Sequence, residues 1–445
     1  MSRATSRATS RATSRETSRE TSRETSRRDR AKPIVVLCPH FAPDNAPTGT
    51  VMTRIVSELA DLGHQVHVVT ALPWYRNHAI EEGWTGKWVR TESTPWGSIT
   101  RLNPFPGDDK SNLMRRAAGF AAYSLLAGVI GLRAGGWFRR ADAVIAMSPP
   151  LTLGLTGKVV AVLRRSQLVF NIQDVFPDAA IDTGAITNRW VISAAQLLER
   201  VSYRSAAAVT VLSDDLGDNV IAKLPASRAT TVHVIPNFVD TDVIRPGDRL
   251  TPYRAELGIG DEPVVLYAGN VGFSQSLDLL IAAARQLPAV TFLINGDGAA
   301  RASLEAEAEA ESLSNVRFAR YIEPDRLSEL LATGDIHVVP LKAGLGRVSV
   351  PSKTYSIMAA GRPVVAAIDP GTAVPKILES SGGGVAVLPD DATAFVEALT
   401  AMLERSDWGL SMGTAGRAWV EREASPGAVG VAYHQLIELL AGRAP

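Results

Sequence analysis

The stretch "PIVVLCPHFAPDNAPTGTVMTRIVSELADLGHQVHVVTA", residues 33–71, decides the fold. It opens with a continuous apolar run that ends at Pro39, which is typical of a strand buried on both faces of a sheet. After a polar loop, apolar residues recur at helical spacing over residues 51–62, and Gly63 marks the end of that helix. A second apolar run follows at once. Strand, helix and strand in this order predict a parallel sheet with a right-handed crossover.

The same alternation continues along the chain and starts again after its middle. In the first half we predict strands at residues 141–148, 167–174 and 206–213, and helices around 112–135, 151–164 and 187–204. In the second half we predict strands at 262–269, 290–296, 315–321, 335–341 and 384–389, and helices at 276–287, 299–313, 325–334 and 391–403. Two such series predict two doubly wound domains.

The predicted fold class is therefore α/β, with two Rossmann-like parallel sheets facing each other across a cleft. A last helix near residues 427–442 is expected to pack back on the first domain. Ligands of such sheets bind beyond the carboxyl ends of the strands, so the cleft is the expected site. The expected divisions are a tail at 1–30, a first domain at 31–240 with a linker near 237–250, a second domain at 241–425 and a crossing helix at 426–445.

Charge and composition exclude some classes of protein. The chain has 445 residues and a formal net charge of zero, which argues against a nucleic-acid binder held mainly by phosphate attraction. Residues 1–30 carry nine arginines against three glutamates and one aspartate, about +5, and repeat every four residues. We expect this tail to be disordered. It is interpreted as a low-complexity extension or the product of an early start codon, with contact to anionic lipid as the alternative.

Cys38 is the only cysteine, so the chain forms no intrachain disulfide and no cysteine-based zinc site. It lies in an apolar run and is expected to be a small core residue. No apolar signal region precedes the folded part, so secretion by a signal peptide is not expected. These features favour the cytoplasm.

The segment "AAGFAAYSLLAGVIGL", residues 117–132, contains no charged residue and is short for a membrane span. Two interpretations are equally supported. It is a helix lying in the headgroup layer of the inner face of the membrane, or a buried crossover helix. Five arginines flank it and suit anionic lipid: Arg115, Arg116, Arg133, Arg139 and Arg140.

Two glycine-containing loops follow predicted strands of the second half, "AGNVGFSQSLD" and "NGDGAAR". Glycine lets backbone N–H groups approach a ligand closely, and a helix N-terminus favours an anion. The alternative for the serines is helix capping. The candidate ligand-binding residues are Gly269, Asn270, Gly272, Ser274, Gln275, Gly296 and Gly298, with Ser276 as a further polar donor.

The stretch "VPSKTYSIMAAGRPVVAAID", residues 350–369, predicts a short helix followed by a buried strand. Ser352 is placed at the N-cap and Lys353 in the first turn, where a cation is unfavourable beside the helix dipole. A bound diphosphate would reverse that cost, and Lys342 would add a second positive charge. A simply solvated Lys353 is the alternative.

Taken in order, these motifs resemble the retaining GT-B glycosyltransferases of family four, from residue 32 to about 440. The second half carries "VLYAGN", "LINGDG", "HVVPLKAG" and "PSKTYSIMAAGRPVVA". The first half carries "HFAP", "SPPLTLGL", "NIQDVFPDAA" and "VIPNFVDTDVIRP". The nearest branch includes the bacterial N-acetyl-L-fucosamine transferases of capsule, O-antigen and colanic-acid synthesis. The resemblance implies a nucleotide-sugar donor, usually UDP-linked, bound by the second domain, and a lipid-linked or glycan acceptor bound by the first.

The chain departs from the family's site pattern. Aligning "SIMAAG" places Val348 and Ser356 where the family carries two glutamates, and Asn270 and Ser276 where it carries an arginine and a lysine. The resemblance therefore implies that the remaining cations neutralise the negative charge of the donor diphosphate. These cations are Lys353, Lys342, Arg347 and Arg301. The same alignment places Ser356 and Glu379 near the donor.

On the acceptor side, the resemblance points to the loop at residues 40–49 and to the ends of the neighbouring strands. His40 and Asp174 are predicted to orient the acceptor and, with Lys353, form the catalytic set; strand-end hydrogen bonds are their alternative. The predicted acceptor-binding residues are Gly49, Trp74, Asn77 and Gln173.

The predicted function is retaining sugar transfer in cell-envelope polysaccharide synthesis, by an enzyme with no required metal or cofactor and with peripheral contact to anionic membrane. One rival is a catalytically weak homologue serving as a binding or scaffold subunit, suggested by Val348 and Ser356. Another is a sugar-nucleotide epimerase. A NAD-dependent dehydrogenase ranks third, because "NGDGAAR" lacks the full glycine fingerprint.

Overall fold

The computed structural model describes residues 32–76, 79–86, 88–104, 113–174, 177–178, 188–346 and 352–443, with only the backbone described for 113–117. The predicted tail at 1–30 lies outside these residues. The chain divides into two compact units. The first comprises residues up to Val211, Asn219–Val234 and residues from Gly430 onward, and the second comprises Leu212–Asp218 and Ile235–Val429.

The first unit is built on a sheet that, within the described residues, has eight strands in the order β3-β4-β2-β1-β5-β6-β7-β8. All pairings are parallel except β3 with β4. The predicted strand at the start of the fold is its centre, and all four of its residues are buried. The strands are β1 (Ile34–Leu37), β2 (Val66–Ala71), β3 (Val89–Thr94), β4 (Gly97–Leu102), β5 (Ala143–Ser148), β6 (Gln167–Ile172), β7 (Ala208–Val211) and β8 (Val232–Val234).

Helices pack on this sheet and connect its strands. Asn188 caps α4 by accepting from the backbone N–H groups of Trp190 and Val191. No helix within the described ranges is both long enough and apolar enough to cross a membrane. The helices that the described residues show in full up to the end of β8 are α1 (Pro47–Asp61), α2 (Leu113–Arg133), α3 (Thr152–Leu163), α4 (Arg189–Ser205) and α5 (Asp214–Ala222).

The second unit is built on a parallel sheet in which the described residues contribute six strands, in the order β11-β10-β9-β12-β13-β14. Its central strand β9 is buried on both faces, since Val265 and Tyr267 join one apolar cluster and Val264 and Leu266 another. The strands are β9 (Val264–Ala268), β10 (Thr291–Asn295), β11 (Val316–Ala319), β12 (Ile336–Pro340), β13 (Val364–Ala367) and β14 (Gly384–Val387).

The helices of the second half alternate with these strands, and the last one returns to the first unit. In α14, the Tyr433 hydroxyl accepts from Asn171 Nδ2 at 2.7 Å and lies 3.1 Å from Thr210 Oγ1, both in the first sheet. The predicted α/β class, with two Rossmann-like sheets and a C-terminal helix packed on the first domain, is confirmed. The helices are α6 (Pro252–Glu256), α7 (Asp278–Gln286), α8 (Arg301–Ala310), α9 (Leu327–Thr333), α10 (Lys353–Ala359), α11 (Ala373–Ser381), α12 (Ala392–Leu403), α13 (Leu410–Glu423) and α14 (Pro426–Leu440).

Candidate functional site

The two glycine loops of the second unit follow the neighbouring strands β9 and β10 and run side by side beyond the sheet. Gly296 has φ 145°, and a Cβ there would lie 1.8 Å from the carbonyl oxygen of Gly269. At Gly298, with φ 157°, a Cβ would lie 2.4 Å from the carbonyl oxygen of Val271. Glycine is therefore required at both positions by the close approach of two backbones.

The backbone amides of these loops already donate within the protein. Gly269 donates to Asn295 O, Gly296 to Ala319 O, Gly272 to Gln275 Oε1 and Gly298 to Asp297 Oδ1. Backbone packing thus accounts for these glycines, and their role in binding the nucleotide-sugar donor stays a prediction. Asn270 and Ser274 are exposed in the first loop.

Lys353 lies in the first turn of α10 with its amine against the first glycine loop. Its Nζ donates to the Tyr267 hydroxyl at 2.9 Å and stands 4.0 Å from the centroid of that ring. Tyr267 in turn donates to the carbonyl oxygen of Asn270 at 2.5 Å. A Cβ on Gly269 would come within 3.1 Å of Nζ, so glycine there admits the amine. Sequence analysis missed Tyr267, whose signal was a single aromatic residue in an otherwise aliphatic strand.

The electrostatics of Lys353 are unusual for a lysine. Within the described part of the chain no carboxylate forms an ion pair with it, and burial lowers its pKa to about 8. An ammonium group that loses hydration without a counter-ion is costly. The site is therefore a positive charge beside two glycine loops that an anionic ligand would stabilise.

This lowered pKa makes the stability of the free protein depend on pH. The unfolded chain holds the Lys353 proton up to about pH 10.5, whereas the folded chain releases it from about pH 8. Between these values the unfolded state binds more protons, so the free energy of unfolding rises with pH. We expect a gain of about 2 kcal/mol between pH 7.5 and pH 10 for the native protein relative to Lys353→Met, measured by urea unfolding. Saturating UDP should remove this difference, and parallel curves for both proteins without UDP would contradict it.

Polar residues after β12 and β14 tie the first glycine loop to the neighbouring loop. The Ser276 hydroxyl donates to the Asp390 carboxylate, which also accepts from the backbone N–H of Ala343 at 3.0 Å. The backbone N–H of Lys342 donates to Ser274 O at 2.9 Å. The capping alternative for Ser274 and Ser276 is wrong, because α7 begins after Leu277 and has no side-chain cap.

The loop after β12 is held by a residue that sequence analysis did not single out. The Asp369 carboxylate, after β13, accepts from the backbone N–H groups of Gly344 and Gly346, each at 2.9 Å. The Lys342 side chain is exposed on this loop. Asp369 is not at a fixed motif distance from Gly344 and Gly346, so this contact is visible only in the folded structure.

The other predicted donor residues lie at different places in the second unit. Ser352 occupies the N-cap of α10, but its hydroxyl makes no capping bond, and Ser356 is half-buried on the same helix. Glu379 is exposed on α11. Arg301 donates to the carbonyl oxygens of Gly296 and Ala319 and pairs with Glu305, which shows a structural role. Arg347 and Val348 lie outside the described residues.

In the first unit, His40 follows the central strand β1 and is held from three sides. Its Nδ1 lies 2.7 Å from the Asp44 carboxylate, which is 2% exposed and also accepts from the backbone N–H of Tyr75. The His40 ring stacks on Trp74 at 5.8 Å and meets Tyr75 edge-on at 5.5 Å. A Cβ on Gly49 would lie 2.9 Å from the His40 Cβ, so glycine makes room for the histidine.

The remaining predicted acceptor residues follow β6. Gln173 is buried and donates to Asn171 Oδ1 at 2.9 Å, and its role in acceptor binding stays a prediction. Partial loss of hydration raises the pKa of the Asp174 carboxyl group. Asn77 lies outside the described residues. The structure thus brings His40, Gly49 and Trp74 together and adds Asp44 and Tyr75, which the sequence pattern did not distinguish.

One group of side chains in the described residues has a geometry that a metal ion could use. His64 precedes β2, and its Nε2 forms a hydrogen bond of 2.8 Å with His434 Nδ1. One side-chain atom each of His64, His434 and Glu438, of the kind that binds metals, lie within 4.8 Å of one another. Glu438 pairs with Arg443 at 3.0 Å. The existing hydrogen bond and ion pair account for the cluster as a contact between α14 and the first sheet.

Two family models match this chain. One, described as a glycosyl transferase 4-like domain, matches residues 48–237, and the other, described as glycosyl transferases group 1, matches residues 262–405. Together they cover about three quarters of the chain. They correspond to the two predicted halves.

Individual proteins agree with the family models. WcaI of Escherichia coli (strain K12), named as a colanic acid biosynthesis glycosyl transferase, is 28% identical over 407 residues, which is 87% of this chain and 95% of WcaI. Sucrose-phosphate synthase from Thermosynechococcus elongatus is 20% identical, with TM-score 0.66 over 92% of this chain and 99% of that one. Anabaena Alr3699/HepE, solved in complex with UDP-glucose, is 16% identical, with TM-score 0.61 over 92% of this chain and 100% of that one. The two solved structures support the fold.

Proposed function

Because the chain belongs to the group 1 glycosyl transferases, we propose that it moves a sugar from a UDP-linked donor to a lipid-linked or glycan acceptor in cell-envelope polysaccharide synthesis. The similarity to WcaI, named for colanic acid biosynthesis, supports the biosynthetic setting. The complex of HepE with UDP-glucose supports the choice of nucleotide. The proposed location is the cytoplasm, in peripheral contact with the inner face of the membrane. N-acetyl-L-fucosamine is the first sugar to test, since the sequence resembles that branch.

The observation that carries this proposal is the amine of Lys353. It is half-buried against Gly269 and Tyr267 without a carboxylate partner in the described residues. A diphosphate placed there would supply the missing negative charge and restore the ordinary pKa of the lysine.

The proposed chemistry is retaining transfer. The bond between the anomeric carbon and the phosphate oxygen breaks, the acceptor hydroxyl oxygen bonds to that carbon on the same face, and its proton passes to the departing phosphate. The protein then has to stabilise charge on the diphosphate and orient the acceptor. Lys353 serves the first task and His40 the second.

A donor screen tests the proposal. Purified protein is incubated with UDP-sugars, including UDP-N-acetyl-L-fucosamine, and bacterial membranes, and released UDP is measured. We expect release with one donor to depend on membranes, and the product to keep the donor's anomeric configuration by NMR. UDP binding without release from any donor would favour the scaffold rival. Conversion of the donor without free UDP would favour the epimerase.

A further inference from the structure

Helices α2, α3 and α4 form a continuous layer on the first sheet. The Ser124 and Thr152 hydroxyls are 2.7 Å apart, which joins α2 to the start of α3. A Cβ on Gly128 would lie 2.9 Å from Thr156 further along the same two helices. A Cβ on Gly154 would lie 2.8 Å from Ser202, so α3 and α4 are also in close contact. Small residues thus bring the three helices together and fix their outward faces side by side. We call these outward faces the α2–α4 face.

The α2–α4 face is apolar where a helix surface is usually polar. On each helix the exposed apolar residues recur three, four or seven positions apart, so they form one stripe per helix. Leu125 on α2 is 73% exposed and Trp190 on α4 is 72% exposed. The exposed residues are Leu125 and Val129 on α2, Leu155, Val159, Val162 and Leu163 on α3, and Trp190, Leu197 and Val201 on α4.

The same three helices are strongly basic. Their sequences contain seven arginines and lysines and one glutamate, in a chain whose formal net charge is zero. The glutamate, Glu199, is 1% exposed and paired with Lys223 at 2.7 Å. Among the described side chains of these three helices, exposed charge is therefore only positive, beside the apolar stripes. The described basic residues are Arg133, Lys158, Arg189, Arg200 and Arg204, and the sequence of α2 adds Arg115 and Arg116.

Two exposed aromatic residues extend this surface beyond the end of α2. Trp137 and Phe138 are 59% and 53% exposed, and the guanidinium group of Arg133 stands 4.4 Å over the Trp137 ring. Phe138 has φ 50°, a left-handed conformation that is rare for a bulky residue. Aromatic rings with adjacent cations are the residues that favour the headgroup level of a bilayer.

We infer that the α2–α4 face docks on the surface of an anionic phospholipid bilayer, with its apolar stripes between the headgroups and its arginines on lipid phosphates. This rests on the proposed function only in that a lipid-linked acceptor gives the docking a purpose. Apolar stripes with exclusively basic charge match an anionic interface, whereas a second copy of the same face would repel it. Of the two interpretations of residues 117–132, the buried crossover helix describes one side of α2, where Tyr123 and Ala127 are buried. Leu125 and Val129 are exposed on the other side, which is the side that the inferred docking uses.

Vesicle co-sedimentation of the full chain tests the inference. We expect binding to vesicles of phosphatidylcholine with phosphatidylglycerol, little binding to phosphatidylcholine alone, and loss of binding at high salt. Val159→Asp with Leu197→Asp should weaken binding more than tenfold, and Arg200→Ala or Arg204→Ala about fivefold each at low salt. Val243→Asp, an equally exposed change in the second unit, is the matched control and should bind as the native chain does. All variants retain residues 1–30, so the tail contributes equally.

The outcomes separate docking from the donor site. Each variant should bind UDP by calorimetry as the native protein does, which also shows that it is folded. Equal binding by the double variant and the native chain would overturn the inference, as would equal binding to neutral vesicles. A vesicle-free dimer that the double variant dissociates would assign the face to a second copy instead. Failure to bind UDP with vesicle binding intact would refute the proposed function and leave the docking surface standing.

Discussion

Replacing Lys353 by alanine is expected to weaken UDP binding about a hundredfold, because its ammonium group lies beside Gly269 of the first glycine loop and has no carboxylate partner in the described residues. The same change should shift the melting temperature by no more than about 3 °C. In the free protein the lysine loses hydration without gaining a counter-ion, so its removal also removes a cost. UDP titration calorimetry and a thermal melt of the same preparations measure the two effects.

Lys376→Ala is the matched control for that experiment. Lys376 belongs to the same unit and pairs with Asp215 at 3.2 Å, so its loss removes a lysine that already has a partner. It should bind UDP within a factor of two of the native protein. If Lys353→Ala lowers both the UDP affinity and the melting temperature, the role of Lys353 is to stabilise the fold. Loss of neither would show that the diphosphate binds elsewhere.

Most strands and helices follow from hydrophobic periodicity, whereas β3, β4, α5, α6, α11 and α13 were not predicted. Two of these have a clear physical cause. β3 was missed because its sequence is polar and exposed on a sheet edge, where nothing imposes an apolar pattern. Helix α13 was missed because glycines interrupt its sequence. A Cβ on Gly413 would lie 2.1 Å from the carbonyl oxygen of Gly361, and one on Gly416 would lie 3.2 Å from Met358. Tertiary packing requires those glycines against their low helix propensity.

The candidate site was predicted in part, because motif spacing locates loops but not the partners of each side chain. Spacing identified Lys353 and Gly269, and the structure places them in contact. Asp369 and Asp390 follow strands, and their positions in the sequence do not indicate their partners. In the structure each carboxylate holds the loop after β12 by accepting from backbone N–H groups. The His64 contact with His434 spans 370 residues of sequence, so no local pattern indicates it.

In the proposed chemistry the second unit binds the donor and the first unit binds the acceptor. Variants of the two units should therefore alter different kinetic quantities. In the proposed function Lys353 binds the diphosphate of the donor in the second unit, so changes there should appear in UDP affinity. His40 lies in the first unit and makes no predicted contact with the nucleotide. With its Nδ1 proton donated to the Asp44 carboxylate, the proposal assigns contact with the acceptor to Nε2. A change at His40 should therefore appear in turnover.

We expect His40→Ala to lower kcat at least a hundredfold while UDP affinity stays within twofold, because correct placement of a hydroxyl by a histidine is worth about that much. Asp44→Asn should lower kcat less, because the asparagine retains the size of the carboxylate but loses its charge. Gly49→Ala should also reduce kcat, since its Cβ would lie 2.9 Å from the His40 Cβ. Initial rates of UDP release at varied acceptor concentration separate kcat from KM.

His233→Ala is the control, since it removes a half-buried histidine from β8, the edge strand of the same sheet. It should retain the native kcat and the native UDP affinity. A His40→Ala protein with kcat within threefold of the native value would exclude His40 from acceptor placement. In that case the stacked Trp74 ring and the short distance to Asp44 would mark His40 as a packing residue at the end of β1. A raised acceptor KM with unchanged kcat would instead assign His40 to acceptor binding alone, because only an interaction stronger in the transition state alters kcat.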